Sequence, residues 1–161
     1  MKVYVQVQGL KALDEALKEF RPSTARGVAR RVLMKAGQPI AETARRLAPD
    51  DPATGPPYDL KTSITVSSGQ IMGGARRRTR EGAQEVTIYV GPTTDGYPQA
   101  MIQEFGAKHH PPQSYMRPAW DTHAEGALKS ITTDMAVEID KAAARAARKA
   151  ARLAKAAGKG A

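Results

Sequence analysis

After Ile139 the chain holds a single large apolar residue, Leu153. The segment Lys141 to Ala161, KAAARAARKAARLAKAAGKGA, contains eleven Ala, seven Lys or Arg and no acid. It has almost nothing to bury, so a hydrophobic core must come from residues 1–140. Alanine nevertheless favours helix without needing a core. Lys141, Arg145, Arg148, Arg152, Lys155 and Lys159 recur at spacings of 4, 3, 4, 3 and 4. At about 100° per residue they share one face of a helix. An unbroken helix from Pro118 to Ala157 would be about 60 Å long, more than the diameter expected of its own domain.

The charge follows the same division. The net charge is +9; seven of these charges fall in 141–161, leaving +2 on 1–140. Within the body, Arg76, Arg77, Arg78 and Arg80 form a second basic cluster. The reading is a nearly neutral α+β domain over 1–140 and a basic helical extension over 141–161. Positive fields of this kind meet acidic protein, nucleic acid or an anionic surface, and are silent about fold. Cysteine is absent, which excludes disulfides and thiolate chemistry. No 18-residue apolar run occurs, and the first twenty residues alternate charge and hydrophobe. Neither a membrane span nor a signal peptide is expected, and an intracellular setting follows as the default.

Local patterns supply the elements of the body. Val3, Val5 and Val7 alternate with polar residues, which predicts a strand over 2–8. Leu10, Leu13, Leu17 and Phe20 predict a short amphipathic helix that stops near Pro22. Ser23 or Thr24 is the expected cap of the next helix, near 24–47, whose apolar face is Val28, Val32, Ala36, Ile40, Ala44 and Leu47. Pro39 predicts a kink near Gly37–Pro39, or else two helices. Alternation at Ile64–Ser68 and Val86–Val90 predicts strands near 62–69 and 84–91, joined as a hairpin with a long basic tip. A short helix ends at Gly106, and a final helix starts at Arg117 or Pro118 with Trp120, Ala124, Leu128, Ile131, Met135 and Ile139 as its stripe. Together these give a small antiparallel sheet packed on two main helices, near 24–47 and 118–140, with a long basic C-terminal helix.

Catalytic spacing is not found. His109–His110, with Glu104 and His123, is the best metal candidate, but adjacent loop histidines point to opposite sides and no HxxxH or HExxH pattern occurs. Asp50–Asp51 lies in a Pro-rich loop and reads as a solvated turn. No P-loop and no GxGxxG is present. Neither a catalytic residue, a metal ligand nor a cofactor is therefore expected, and the chain is not read as an enzyme. The Arg76–Arg80 tip and the Lys141–Lys159 stripe are candidate contacts to protein or nucleic acid, against the plainer alternative of solvated segments. A reader of base sequence is not expected, because the extension lacks the Asn, Gln and aromatic residues of base readout.

Four pieces occur in order along the body. A helix ends in ARRLAP (Ala44–Pro49) and is followed by a TG-containing loop and DLKTSI (Asp59–Ile64). A strand ends in VGP and leads to YPQAMIQEFGA (Tyr97–Ala107), and then to PPQSYMRPAWD (Pro111–Asp121). The order resembles the tail-completion, or neck, proteins of long-tailed phages, whose patterns run AK-x-x-AP, TG-x-L-x-x-SI, Y-x-x-x-x-EFG and PFLRPA. The opening GLKALDEAL (Gly9–Leu17) also fits, and the likeness spans roughly 1–135. The Arg-rich tip and the cationic extension are not part of the pattern. The resemblance implies a structural virion protein at the head–tail junction, assembled in the host cytoplasm into a closed homo-oligomeric ring, read as hexameric. Its neighbours would be head-closure or adaptor proteins and tail-terminator or tail-tube proteins, with non-specific contact to passing DNA and none to membrane. The alternative is a small basic nucleic-acid-binding protein. In either case Phe105 is expected to pack inward, Gly106 to form a left-handed cap and Trp120 to anchor the last helix.

Overall fold

The computed structural model describes residues 18, 20–49, 59–68, 85–97 and 99–157. They form an α+β fold with a two-stranded antiparallel sheet and two long helices. In chain order the elements are α1 (Pro22–Leu47), α2 (Leu60–Ser63), β1 (Ile64–Ser67), β2 (Tyr89–Pro92), a 3-10 turn at Thr94–Gly96, α3 (Gln99–Phe105) and α4 (Met116–Ala157). The strand expected at 2–8, most of the helix read from Leu10 to Phe20, Asp50–Asp51, the Arg76–Arg80 tip and Lys159 lie outside the described residues.

Helix α1 starts earlier than the polar caps suggested. Pro22 stands in its first turn behind Arg21, and Ser23 and Thr24 lie inside the helix. A proline lacks the N–H that would be unbonded there anyway, and its fixed φ suits helix entry. The Arg21 carbonyl accepts from Thr24 N at 2.8 Å and Ala25 N at 3.1 Å. Pro39 sits within one continuous 26-residue helix, so the two-helix alternative does not form. At its far end the Ala48 N–H donates to the Ala44 carbonyl and ends α1.

The hairpin pairs Ile64 with Pro92, Thr65 with Gly91, Val66 with Val90 and Ser67 with Tyr89. Ile64 and Val66 are buried while Thr65 and Ser67 are half-exposed, the period-two pattern the residues predicted. The sheet lies close on α1. A Cβ at Gly37 would stand 3.0 Å from Val66 Cγ1 and 3.1 Å from Val90 Cγ2, so the glycine permits the approach.

Helices α1 and α4 run antiparallel and meet in two separate apolar patches. One holds Ile40, Ala41, Ala44 and Ala48 of α1 with Leu60, Ile64, Val66, Ala100, Tyr115 and Ala119. The other holds Val28 and Val32 with Met135, Ile139 and Ala142. Between them runs a groove of about 560 Å³ lined by Lys35, Ala36 and Pro39 on one side and by His123, Gly126 and Lys129 on the other. Helix α4 is unbroken over 42 residues, which is about 63 Å at 1.5 Å per residue. Its last buried described side chain is Ala142.

Candidate interaction surfaces

The four sequence pieces converge on one apolar patch. Ala44 and Ala48 come from the first, Leu60 and Ile64 from the second, Ala100 from the third, and Tyr115 and Ala119 from the fourth. Polar residues in the same pieces lock the joints. Asp59 caps α2 by accepting from Lys61 N at 2.9 Å, and Arg45 Nε donates to the Ile64 carbonyl at 2.9 Å. Buried Ser63 donates to the Leu60 carbonyl at 2.7 Å.

The tightest joint lies between the EFG and SYMRPA pieces. Glu104 is buried, and its Oε2 accepts from Tyr115 N and Met116 N, each at 2.9 Å. Its Oε1 accepts from Arg117 N at 3.2 Å. Helix α4 has no acid in its own first turn, so a carboxylate from α3 satisfies amides that the helix leaves without intrahelical partners. The loop between them folds back on α3: Gln113 N donates to the Gln103 carbonyl at 2.7 Å, and Ser114 Oγ donates to the Glu104 carbonyl at 2.9 Å. Gly106 adopts φ +79°, as its place after the helix predicted, and a Cβ there would stand 3.0 Å from the His110 carbonyl. Tyr115 is 1 % exposed. Burial, and secondarily the Glu104 carboxylate, push its phenol up to about 12. The sequence reading saw Glu104 as a helix end or a metal candidate and missed this role. The available clue was a buried-type helix position occupied by acid, close to a helix start that lacks one.

Two apolar anchors proposed from the sequence turn outward. Phe105 is 62 % exposed and Trp120 is 58 % exposed. Tyr97, Met101 and Ile102 are also exposed. Helix α3 is therefore held by Ala100 and Glu104 alone among its fully buried residues, while Met101 and Phe105, four apart, share another face. Ala119, next to Trp120, takes the buried place at the start of α4. Its small side chain lets the helix sit close to the patch, and the indole points away.

The second surface is the far half of α4. Its near half is tied to α1 by ion pairs: Arg31 to Glu138 at 2.9 Å and Lys35 to Asp134 at 2.9 Å. Lys141, the first residue of the sequence stripe, bonds to Glu138 at 3.1 Å and so belongs to this network. Hydrogen bonds from Lys141 and Arg31 hold the Glu138 carboxyl below its usual range. Beyond Ala142 every described side chain is exposed, including Arg145, Arg148, Lys149, Arg152 and Lys155. Among the described residues no acid pairs with Arg145, Arg148, Arg152 or Lys155.

The histidines do not assemble. His123 Nε2 and Thr43 Oγ1 are 2.7 Å apart, a bond between α4 and α1. His109 and His110 line a shallow hollow with Phe105 and Pro111 in the turn closed by Ala107 and His110. Among the described residues no group of three or more His, Asp or Glu could hold a metal ion. No helix among them is long and apolar enough to cross a membrane. Comparison with family models, curated proteins and solved structures finds no match to this chain.

Proposed function

We propose that this chain is a structural component of the head–tail junction of a long-tailed phage, a tail-completion or neck protein that works as a ring. What supports the reading is the convergence of its four motif pieces on one apolar patch. Residues scattered between Ala44 and Ala119 supply a helix end, a strand entry, a cap and a helix start that fit one another. Such a set describes a scaffold, and in this reading the chain carries out no reaction. Helix α3 and the start of α4 present Met101, Phe105 and Trp120 to solvent, and Tyr97, just before α3, is exposed as well. Exposed aromatic and Met side chains are the residues that protein interfaces favour, and a neighbouring subunit or layer would cover them.

The test is the place of the chain in a particle. Antibody labelling or electron microscopy of intact virions from the genome that encodes it is expected to put it between head and tail. Particles in which the chain is missing, or in which it lies inside the capsid, overturn the reading. A finer test substitutes Met101 and Phe105 by Asp together: heads and tails accumulate unjoined while the body stays folded.

The exposed cationic half of α4 favours a second reading, a small nucleic-acid-binding protein. That reading requires tight duplex binding by the isolated chain, whereas a neck component binds duplex weakly until assembly multiplies its contacts.

A further inference from the structure

The far half of α4 differs from every other charged surface among the described residues. Arg145, Arg148, Arg152 and Lys155 fall within about 80° of arc at 100° per residue, along about 15 Å of axis. The sequence from Lys141 onward contains no acid, so no neighbour one turn away can pair with them. Four cations along one face repel one another, and this part of the helix is kept by its alanines and not by packing. Such an arrangement is stabilised when an external anion neutralises the row.

We propose that this row grips the phosphate backbone of nucleic acid, without reading its sequence. Two observations select phosphate over an acidic protein face, and a third is compatible with it. The described side chains from Ala143 to Lys149, with Ala151, Arg152 and Lys155, are only Ala, Arg and Lys. The rod thus brings no aromatic or Met side chain of the kind that protein interfaces bury. Three of the four row cations are Arg, whose planar fork matches phosphate oxygens in pairs, as it also does carboxylates. The row places one cation about every 5 Å of axis, close to the density of one duplex strand, one phosphate per roughly 3.4 Å. The lack of a large apolar face also argues against a lipid surface, which a helix binds by burying one. The proposal goes beyond the assembly reading and does not depend on it: the row meets phosphates whether or not the body closes a ring.

Fluorescence anisotropy of the full chain with a random-sequence duplex, titrated with salt, tests the proposal. Binding is expected to weaken roughly a hundredfold between 50 and 200 mM salt, as for about four released counterions. Replacing Arg145, Arg148, Arg152 and Lys155 together by Ala keeps the helix and is expected to reduce the log–log slope by about 3 to 4. A control removes the same charge from the body, with Arg21, Arg26, Lys108 and Lys129 changed to Ala; it is expected to leave the slope within about one. Equal losses in the two variants mean that net charge alone acts, and overturn the proposal. So does an unchanged slope in the distal variant. Competition by poly-glutamate as effective as by duplex at equal charge assigns the row to an acidic protein instead. A complete lack of duplex binding at low salt also overturns it, and leaves the junction reading to be judged by particle labelling.

Discussion

The two halves of α4 have the same backbone and opposite reasons for it. From Met116 to Ala142 the helix is held from outside itself: Glu104 caps it, Tyr115 and Ala119 seat its start, Met135 and Ile139 pack on Val28 and Val32, and Asp134 and Glu138 bond to α1. From Ala143 to Ala157 none of those supports continues among the described residues, and alanine propensity carries the helix. Tertiary packing, then, sets where α4 points, and local propensity sets how far it reaches. A chain can alter its reach by changing a few exposed residues, without touching the core that aims it.

The comparison breaks most severely at Tyr115. Tyr115→Ala empties a fully buried site and is expected to cost about 3–5 kcal/mol, read as a lower denaturant midpoint for the whole body. Glu104→Ala comes next. It leaves three amides without their acceptor, and about 2–3 kcal/mol should be lost. Glu104→Gln is milder and has a spectroscopic signature. The Tyr115 phenol should ionise below its present value of about 12, yet above an ordinary tyrosine, because burial, the larger cause, remains. Since that phenol is raised on folding, its contribution is intact below about pH 10 and is lost as pH climbs toward 12.

Smaller changes sharpen the contrast. Ala147→Gly should weaken the far half by about 0.5–1 kcal/mol, visible as faster amide exchange around residue 147 with an unchanged global melt. The smallest effect belongs to Glu138. Its carboxyl is held low by Lys141 and Arg31, so its contribution is complete above the usual carboxylate range and fades as pH falls through its lowered value. Glu138→Gln should flatten that acid limb by lowering stability slightly at neutral pH, where the contribution is complete, and leaving it unchanged in acid.

What could be read from the residues was whatever a single element decides for itself. The alternation at Ile64–Ser67, the apolar spacing of α1 from Val28 to Ala44, the left-handed Gly106 and the length of α4 are local matters of period and propensity, and the fold keeps them, although Leu47, the last residue of the expected α1 face, is exposed. Errors arose where two elements had to be known together. Phe105 and Trp120 are large and apolar, and their spacing fits a buried stripe; only the seating of α3 and α4 through Ala100, Glu104 and Ala119 turns them outward. Glu104 could not be identified as a cap while its target amides, eleven to thirteen residues later, had no position. Ser23 and Thr24 were passed over because Pro22 already fits the first turn. Of the interaction residues, Lys141 belongs to the body network, whereas Arg145, Arg148, Arg152 and Lys155 are exposed, with no acid partner among the described residues.

The groove between the two apolar patches means that α4 is clasped near its start and again near its middle, with its far third unsupported. This is the geometry of a cantilever. Fifteen residues beyond the second clasp extend about 22 Å, so each degree of tilt moves the tip by about 0.4 Å.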